Sequence, residues 1–358
     1  MPPGQVKGRH RLRKLLATGL VLAAVLATGC SATTIARHHG TVKLPIGPPG
    51  TSASGILRLG YVLDVPDAPA LVATQMGYYQ QDLGKVSLQP QAFTSQAAEI
   101  TALQTGQLDA AYLDPITAIT ISQATRNGLR IVAGAALGGT ELVVTKTITQ
   151  PSQLKGRQLA APAGTPQTAA DTWLRANGLP PLSRQETAPS TSAAILHEFT
   201  TATIAGAWEP APLDTELTAA GGHALATTPD TPAASNTPTL VLAVTEGYLT
   251  GHRAAVANLV KGQIQAVRQL AASPVPAESA FQQKLAQAGT TALPPAELTA
   301  SFAQVTFTDN PQEPQIRTEA QQAATAGLIK PVSNWATIFD LTQLNALLRS
   351  AGHKPVTP

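Results

Sequence analysis

This sequence predicts an α/β fold of two lobes facing one another across a cleft, and three observations carry the prediction. The length, 358 residues, holds two units of ordinary size. Across Thr94–Ala133 the pattern runs helix, strand, helix, strand, and two helix N-termini open at strand ends, the edge where open α/β sheets take their ligands. A strand-end device also occurs twice: Tyr112-Leu113-Asp114-Pro115 and Ala207-Trp208-Glu209-Pro210 each place an aromatic, an acid and a proline at an expected helix start.

The chain opens with a basic stretch, Lys7 to Lys14, then an apolar run, Leu15 to Ala27, then Ala27-Thr28-Gly29-Cys30. Small residues before a lone cysteine have the form of a bacterial lipobox, in which Cys30 is acylated and becomes the mature N-terminus. A cleaved signal with an incidental cysteine and an uncleaved anchor are the alternatives, although the run is short for a membrane span. Residues 31–55, rich in Ser, Thr, Gly, Pro and Ala, read as a flexible tether, with His38 and His39 as solvated linker residues.

Residues 56–63 form the first expected strand. Asp64-Val65-Pro66-Asp67-Ala68-Pro69 is a loop of turn-forming residues, and a helix from Ala70 stops at Gly77. A strand at 86–93 leads to the helix capped by Thr94 and Ser95, with Glu99 in its first turn and Gly106 as its stop. The next strand is 108–113. Asp114-Pro115 then restarts a helix, with strand again from Leu129 to Ala133. Gly138-Gly139-Thr140 marks the crossing into the second lobe. Strands at 141–146 and 158–162 follow, and Gly164-Thr165-Pro166-Gln167-Thr168 opens a helix whose free backbone N–H groups suit an anion. A helix at 190–199, a strand at 204–208 and a returning strand at 240–244 come next. The tail is helical, at 254–270, 278–288, 295–303, 314–326 and 335–348.

The run ALQTGQLDAAYLDPITA after a cap-rich helix start, then GLRIVA, and the PSQLKG turn at 151–156 resemble the solute-binding proteins of ABC importers. Within them the likeness is to the group that takes aliphatic sulfonates, taurine, nitrate or thiamine-pyrimidine precursors. It runs from about Leu57 to about Leu270. It implies a type II periplasmic-binding-protein-like fold with one lobe of residues 56–139 plus 240–358 and another of residues 140–239. It also implies a small organic anion or zwitterion as solute, an ABC permease as partner, an extracytoplasmic location and a monomer. The candidate ligand contacts are Asp64, Asp67, Thr94, Ser95, Gln96, Tyr112, Asp114, Thr140, Gly164, Thr165, Gln167, Thr168, Trp208 and Glu209. The acids among them stay open between two roles: turn formers and helix caps, or partners for a basic nitrogen. An anion would rest on Thr94, Ser95, Thr165 and Thr168, because the cleft-facing stretches hold no Lys or Arg. Tyr112 and Trp208 are placed to cover an apolar part.

Composition removes other classes. The net charge of +3 comes from the first 29 residues, where five basic groups and no acid occur; the remainder has 19 basic groups against 21 acidic. Nucleic acid is not an expected partner. One cysteine excludes an internal disulfide, a cysteine-based zinc cluster and the cysteine-rich iron motif of the pyrimidine-forming relatives. Nucleophile-elbow, phosphate-loop, zinc-protease and dinucleotide motifs are missing; His10 is expected to leave with the signal, and core or surface roles are expected for His197 and His223. No enzyme activity, metal or cofactor is therefore expected. A sensor or adaptor lipoprotein without transport, and a secreted enzyme on this scaffold, are the competing readings.

Overall fold

The computed structural model describes residues 55–83, 86–124, 128–182, 191–227, 237–290 and 292–357. Cys30 and residues 31–54 of the expected tether lie outside them. Among the described residues ten strands form two sheets. The first contains β1 (Ile56–Val62), β2 (Ser87–Phe93), β3 (Ala110–Leu113), β4 (Leu129–Gly138), β9 (Pro238–Thr245) and β10 (Val305–Phe307), in the order β10-β4-β9-β3-β1-β2. The second contains β5 (Thr140–Thr145), β6 (Leu159–Ala160), β7 (Gly206–Pro210) and β8 (Gly222–Thr227), in the order β6-β7-β5-β8. β1 pairs in parallel with β2 and β3, and β6 with β7; the other pairings are antiparallel.

The helices are α1 (Ala68–Gln75), α2 (Tyr78–Asp82), α3 (Gln96–Gln104), α4 (Pro115–Ala124), α5 (Thr165–Ala176), α6 (Ser192–Thr200) and α7 (Leu213–Ala219), then α8 (Glu246–Gly251), α9 (Arg253–Ala272), α10 (Val275–Gln287), α11 (Pro295–Ala303), α12 (Glu313–Thr325) and α13 (Thr342–Ser350). Among the described residues no helix is long and apolar enough to cross a membrane.

Strand periodicity fixes the cores. In β3, Ala110 and Tyr112 face one apolar cluster, with α1 and α9, while Ala111 and Leu113 face a second, with α4 and α12. In β5, Leu142 and Val144 face the cluster around Trp173 and Trp208, and Val143 faces Ile195 and Phe199. The chain passes between sheets through Gly138 and Gly139, both at positive φ. A Cβ at Gly139 would run into the side chain of Val305, so glycine suits that crossing twice over.

The structure departs from the sequence-based elements in several places, of which three bear on the frame. The second acid-proline device does not start a helix: Glu209 and Pro210 are strand residues, paired with Glu141 and Thr140, and α7 begins only at Leu213. The helix expected over 335–348 is instead a short turn followed by α13. Ile131 donates its amide to the Ile338 carbonyl and accepts from the Asp340 amide, which holds the segment between them against the edge of β4. Residues 305–307, outside any predicted element, pair with β4 as β10.

Candidate functional site

A cavity of about 370 Å³ lies between the strand ends and helix starts of the two sheets. From the first sheet it is lined by the β1–α1 loop (Asp64, Asp67), the start of α3 (Thr94, Ser95, Gln96), Tyr112 and Asp114. From the second come Thr140, Thr165, the start of α6 (Thr191, Ser192) and Glu209. Val62, Ile100, Ile195, Leu213 and Leu240 give it apolar walls. Its size is that of a small-molecule site. Ten of the residues chosen from sequence line it; Gly164, Gln167, Thr168 and Trp208 do not.

Trp208 is misplaced by the two-residue period of its strand. Glu209 faces the cavity, so its neighbour faces the other side, where Trp208 is fully buried, donates Nε1–H to Thr140 Oγ1 (2.9 Å) and lies 6.5 Å from the Trp173 ring. Tyr112 lines the cavity but spends its hydroxyl inside, on Tyr79 (2.5 Å) and on Gln263, whose amide donates to the Gly134 carbonyl at 2.8 Å. Thr168 donates its hydroxyl to the Gly164 carbonyl within its own helix (2.9 Å), and Gln167 is buried beneath it.

The two acids of the repeated device have different uses. Asp114 is consumed by caps. Its Oδ1 accepts the Thr117 amide of its own helix (2.9 Å) and the Thr165 amide at the start of α5 (2.7 Å), and its Oδ2 accepts from Gln96 Nε2 (2.5 Å). One carboxylate thus caps a helix on each side of the cavity. The N-terminus of α5, expected to receive a ligand anion, is already occupied by a carboxyl group of the protein. Gly164 makes this approach possible, since a Cβ there would sit 2.6 Å from Asp114 Oδ1. Glu209 caps nothing. Its Oε1 is buried in the cavity wall with no hydrogen-bond partner.

The surroundings are acidic throughout. Burial pushes the Asp64 carboxyl up to about 7, with Asp214 adding to the effect. Asp214, just past the cavity wall, is also held at about 7 by burial and by Glu141. Burial raises Glu209 well above the ordinary carboxylate range, as do the charges of Asp64 and Asp214. Asp67 is raised by burial, Glu99 and Asp64, although its Oδ1 accepts the Val62 amide at 3.0 Å. Glu99 is raised by burial and by Asp64. Sequence reasoning treated Glu99 as a first-turn charge and did not single out Asp214. In the fold Glu99 is completely buried, packed so closely on β1 that a Cβ at Gly60 would meet its carboxylate. No Lys, Arg or His is among the described residues lining the cavity. Nor, among the described residues, are three or more His, Cys, Asp or Glu grouped to hold a metal ion.

Two sheets joined at Gly138-Gly139-Thr140, with a cavity at the facing strand ends, define a two-lobed type II periplasmic-binding-protein fold. Solved structures agree. The alkanesulfonate-binding protein SsuA from Xanthomonas axonopodis pv. citri, bound to MOPS, matches with TM-score 0.65 and 18% identity over 82% of this chain and 99% of that one. The nitrate-binding protein NrtA from Synechocystis PCC 6803 gives 0.67 and 13%, over 82% and 88%. The zinc-bound ligand-binding component of an ABC-type import system from Staphylococcus aureus gives 0.67 and 14%, over 81% and 97%. The profile of the NMT1-like family matches residues 51–288, and the chain belongs to that family. No curated protein sequence matches it.

Proposed function

We propose that this protein is the extracytoplasmic solute receptor of an ABC importer, tethered through lipid on Cys30, and that it is not an enzyme. The observation that carries the reading is the cavity itself: a partly open cleft of small-molecule size, walled by both sheets, on a fold shared with solute-binding proteins of importers. Residues 56–139 plus 240–358 act as one lobe and 140–239 as the other, hinged at Gly138-Gly139-Thr140 and at the return into β9. The cavity-lining residues are the solute contacts, and an ABC permease is the docking partner of the loaded form. The resemblance implies a small organic anion or zwitterion, such as a sulfonate, taurine or a pyrimidine precursor.

A thermal-shift panel of small solutes tests the receptor reading. A solute at about a hundred times its dissociation constant adds roughly 2.7 kcal/mol to stability and raises Tm. If no solute in a panel of sulfonates, nitrate, amines and heterocyclic bases moves Tm, the receptor reading fails.

A further inference from the structure

We infer that the solute is a small organic cation, a protonated amine, amidine or N-heterocycle, whose charged nitrogen sits between Asp64 and Glu209 and whose carbon body lies on the apolar walls. This rests on the receptor reading above and replaces the anion or zwitterion that the resemblance implies.

Three observations lead there. Four carboxylates line the cavity and none of the described lining residues is basic. Of the four, Asp114 and Asp67 are engaged by backbone amides, while the Asp64 side chain caps nothing and Glu209 Oε1 has no partner although it is buried. A buried polar atom without a partner is costly, and an ammonium or amidinium N–H is the group that relieves it. The third observation concerns the anion alternative. The α5 N-terminus is filled by Asp114, and the Ser95 hydroxyl accepts the Ala98 amide of α3 (3.4 Å). A sulfonate would enter among carboxylates with these helix-start donors already engaged.

Asp64 stands on the loop after β1 and Glu209 at the end of β7, so a cation bound to both ties one sheet to the other. Binding energy then goes directly into closing the cleft. Asp64 is faced by Asp214, Asp67, Glu99 and Glu209, and Glu209 by Asp64 and Asp214. With like charges on every side, the empty site retains protons near neutral pH, and an entering cation expels them.

The test is calorimetry and thermal shift at pH 8 with two arms of millimolar probes: butylammonium, benzamidinium and protonated 4-aminopyridine against butanesulfonate, ethanesulfonate and nitrate. The expected result is that at least one cation binds and no anion does. In buffers of different ionisation enthalpy at pH 7 that cation should release protons. Glu209→Gln and Asp64→Asn should each weaken it by at least about thirtyfold, the lower bound for removing one partner of a buried charge pair. Circular dichroism establishes that both near-isosteric variants are folded. Binding that survives both variants overturns the assignment. So does silence from every cation, and the anion arm then decides the receptor reading: binding there keeps it, and silence there removes it as well.

Discussion

Asp214→Asn should make the unliganded protein more stable, by an amount set by pH. The Asp214 side chain is buried, 5% exposed, and its carboxyl is moved from 3.8 to about 7, chiefly by burial and then by Glu141. A carboxyl raised in the folded state carries its full contribution below its unfolded pKa and loses it as pH rises through the folded one. Between pH 4 and 7 the folded chain therefore binds a proton that the unfolded chain has released, and stability falls by 1.36 kcal/mol for each unit crossed. Three units give about 4 kcal/mol; relaxation and water penetration bring the expected gain of the variant at pH 8 to about 2–4 kcal/mol. Asparagine keeps the acceptor that Thr215 uses, so packing and hydrogen bonding change little. Urea unfolding at pH 4, 6 and 8 measures the effect, and Tm should rise by roughly 5 °C or more at pH 8. A variant no more stable than the parent at pH 8, or equally stabilised at pH 4, would refute the argument that an uncompensated buried charge is stored here.

Two further outcomes follow from the same geometry. Asp114→Ala removes caps from α4 and α5 together and should cost about 2–3 kcal/mol in urea unfolding, with Asp114→Asn milder; a loss under about 0.5 kcal/mol would mean the bridge to Thr165 holds nothing. Cys30→Ala should release the protein from membranes into the soluble fraction, with the circular dichroism of the folded part unchanged; retention after a high-salt wash would count against acylation.

The stored charge has a functional reading. A solute-free cleft that holds several carboxylates without counter-ions is less stable than it needs to be, and proteins accept such strain at sites that a ligand completes. Glu209 is the clearest case, because its neighbour Trp208 on the same strand is fully satisfied by Thr140 and the second-sheet core. Adjacent residues thus divide the work, one holding the sheet together and one facing the cavity.

Local chemistry in the sequence determined much of the frame. Ser95 caps α3, Asp114-Pro115 opens α4, and Gly77, Gly106 and Gly178 end their elements at positive φ, because caps and glycine stops act within one turn of chain. The unbroken apolar runs of β3 and β5 likewise mark strands buried on both faces, with successive residues serving the core on either side. What the tertiary structure alone decided involves partners distant in the chain. Glu-Pro at 209–210 and Asp-Pro at 114–115 read alike locally, yet pairing with Thr140 and Glu141 keeps the first pair in a strand and strips Glu209 of any capping role. The Thr165 amide that occupies Asp114, the close seat of Glu99 on Gly60, and the edge of β4 that breaks the last helix are all non-local contacts. Backbone propensity is summed over neighbours in sequence. The charge balance of a cleft is summed over neighbours in space, and only the folded chain brings Asp214 close enough to raise Asp64, and both of them close enough to raise Glu209.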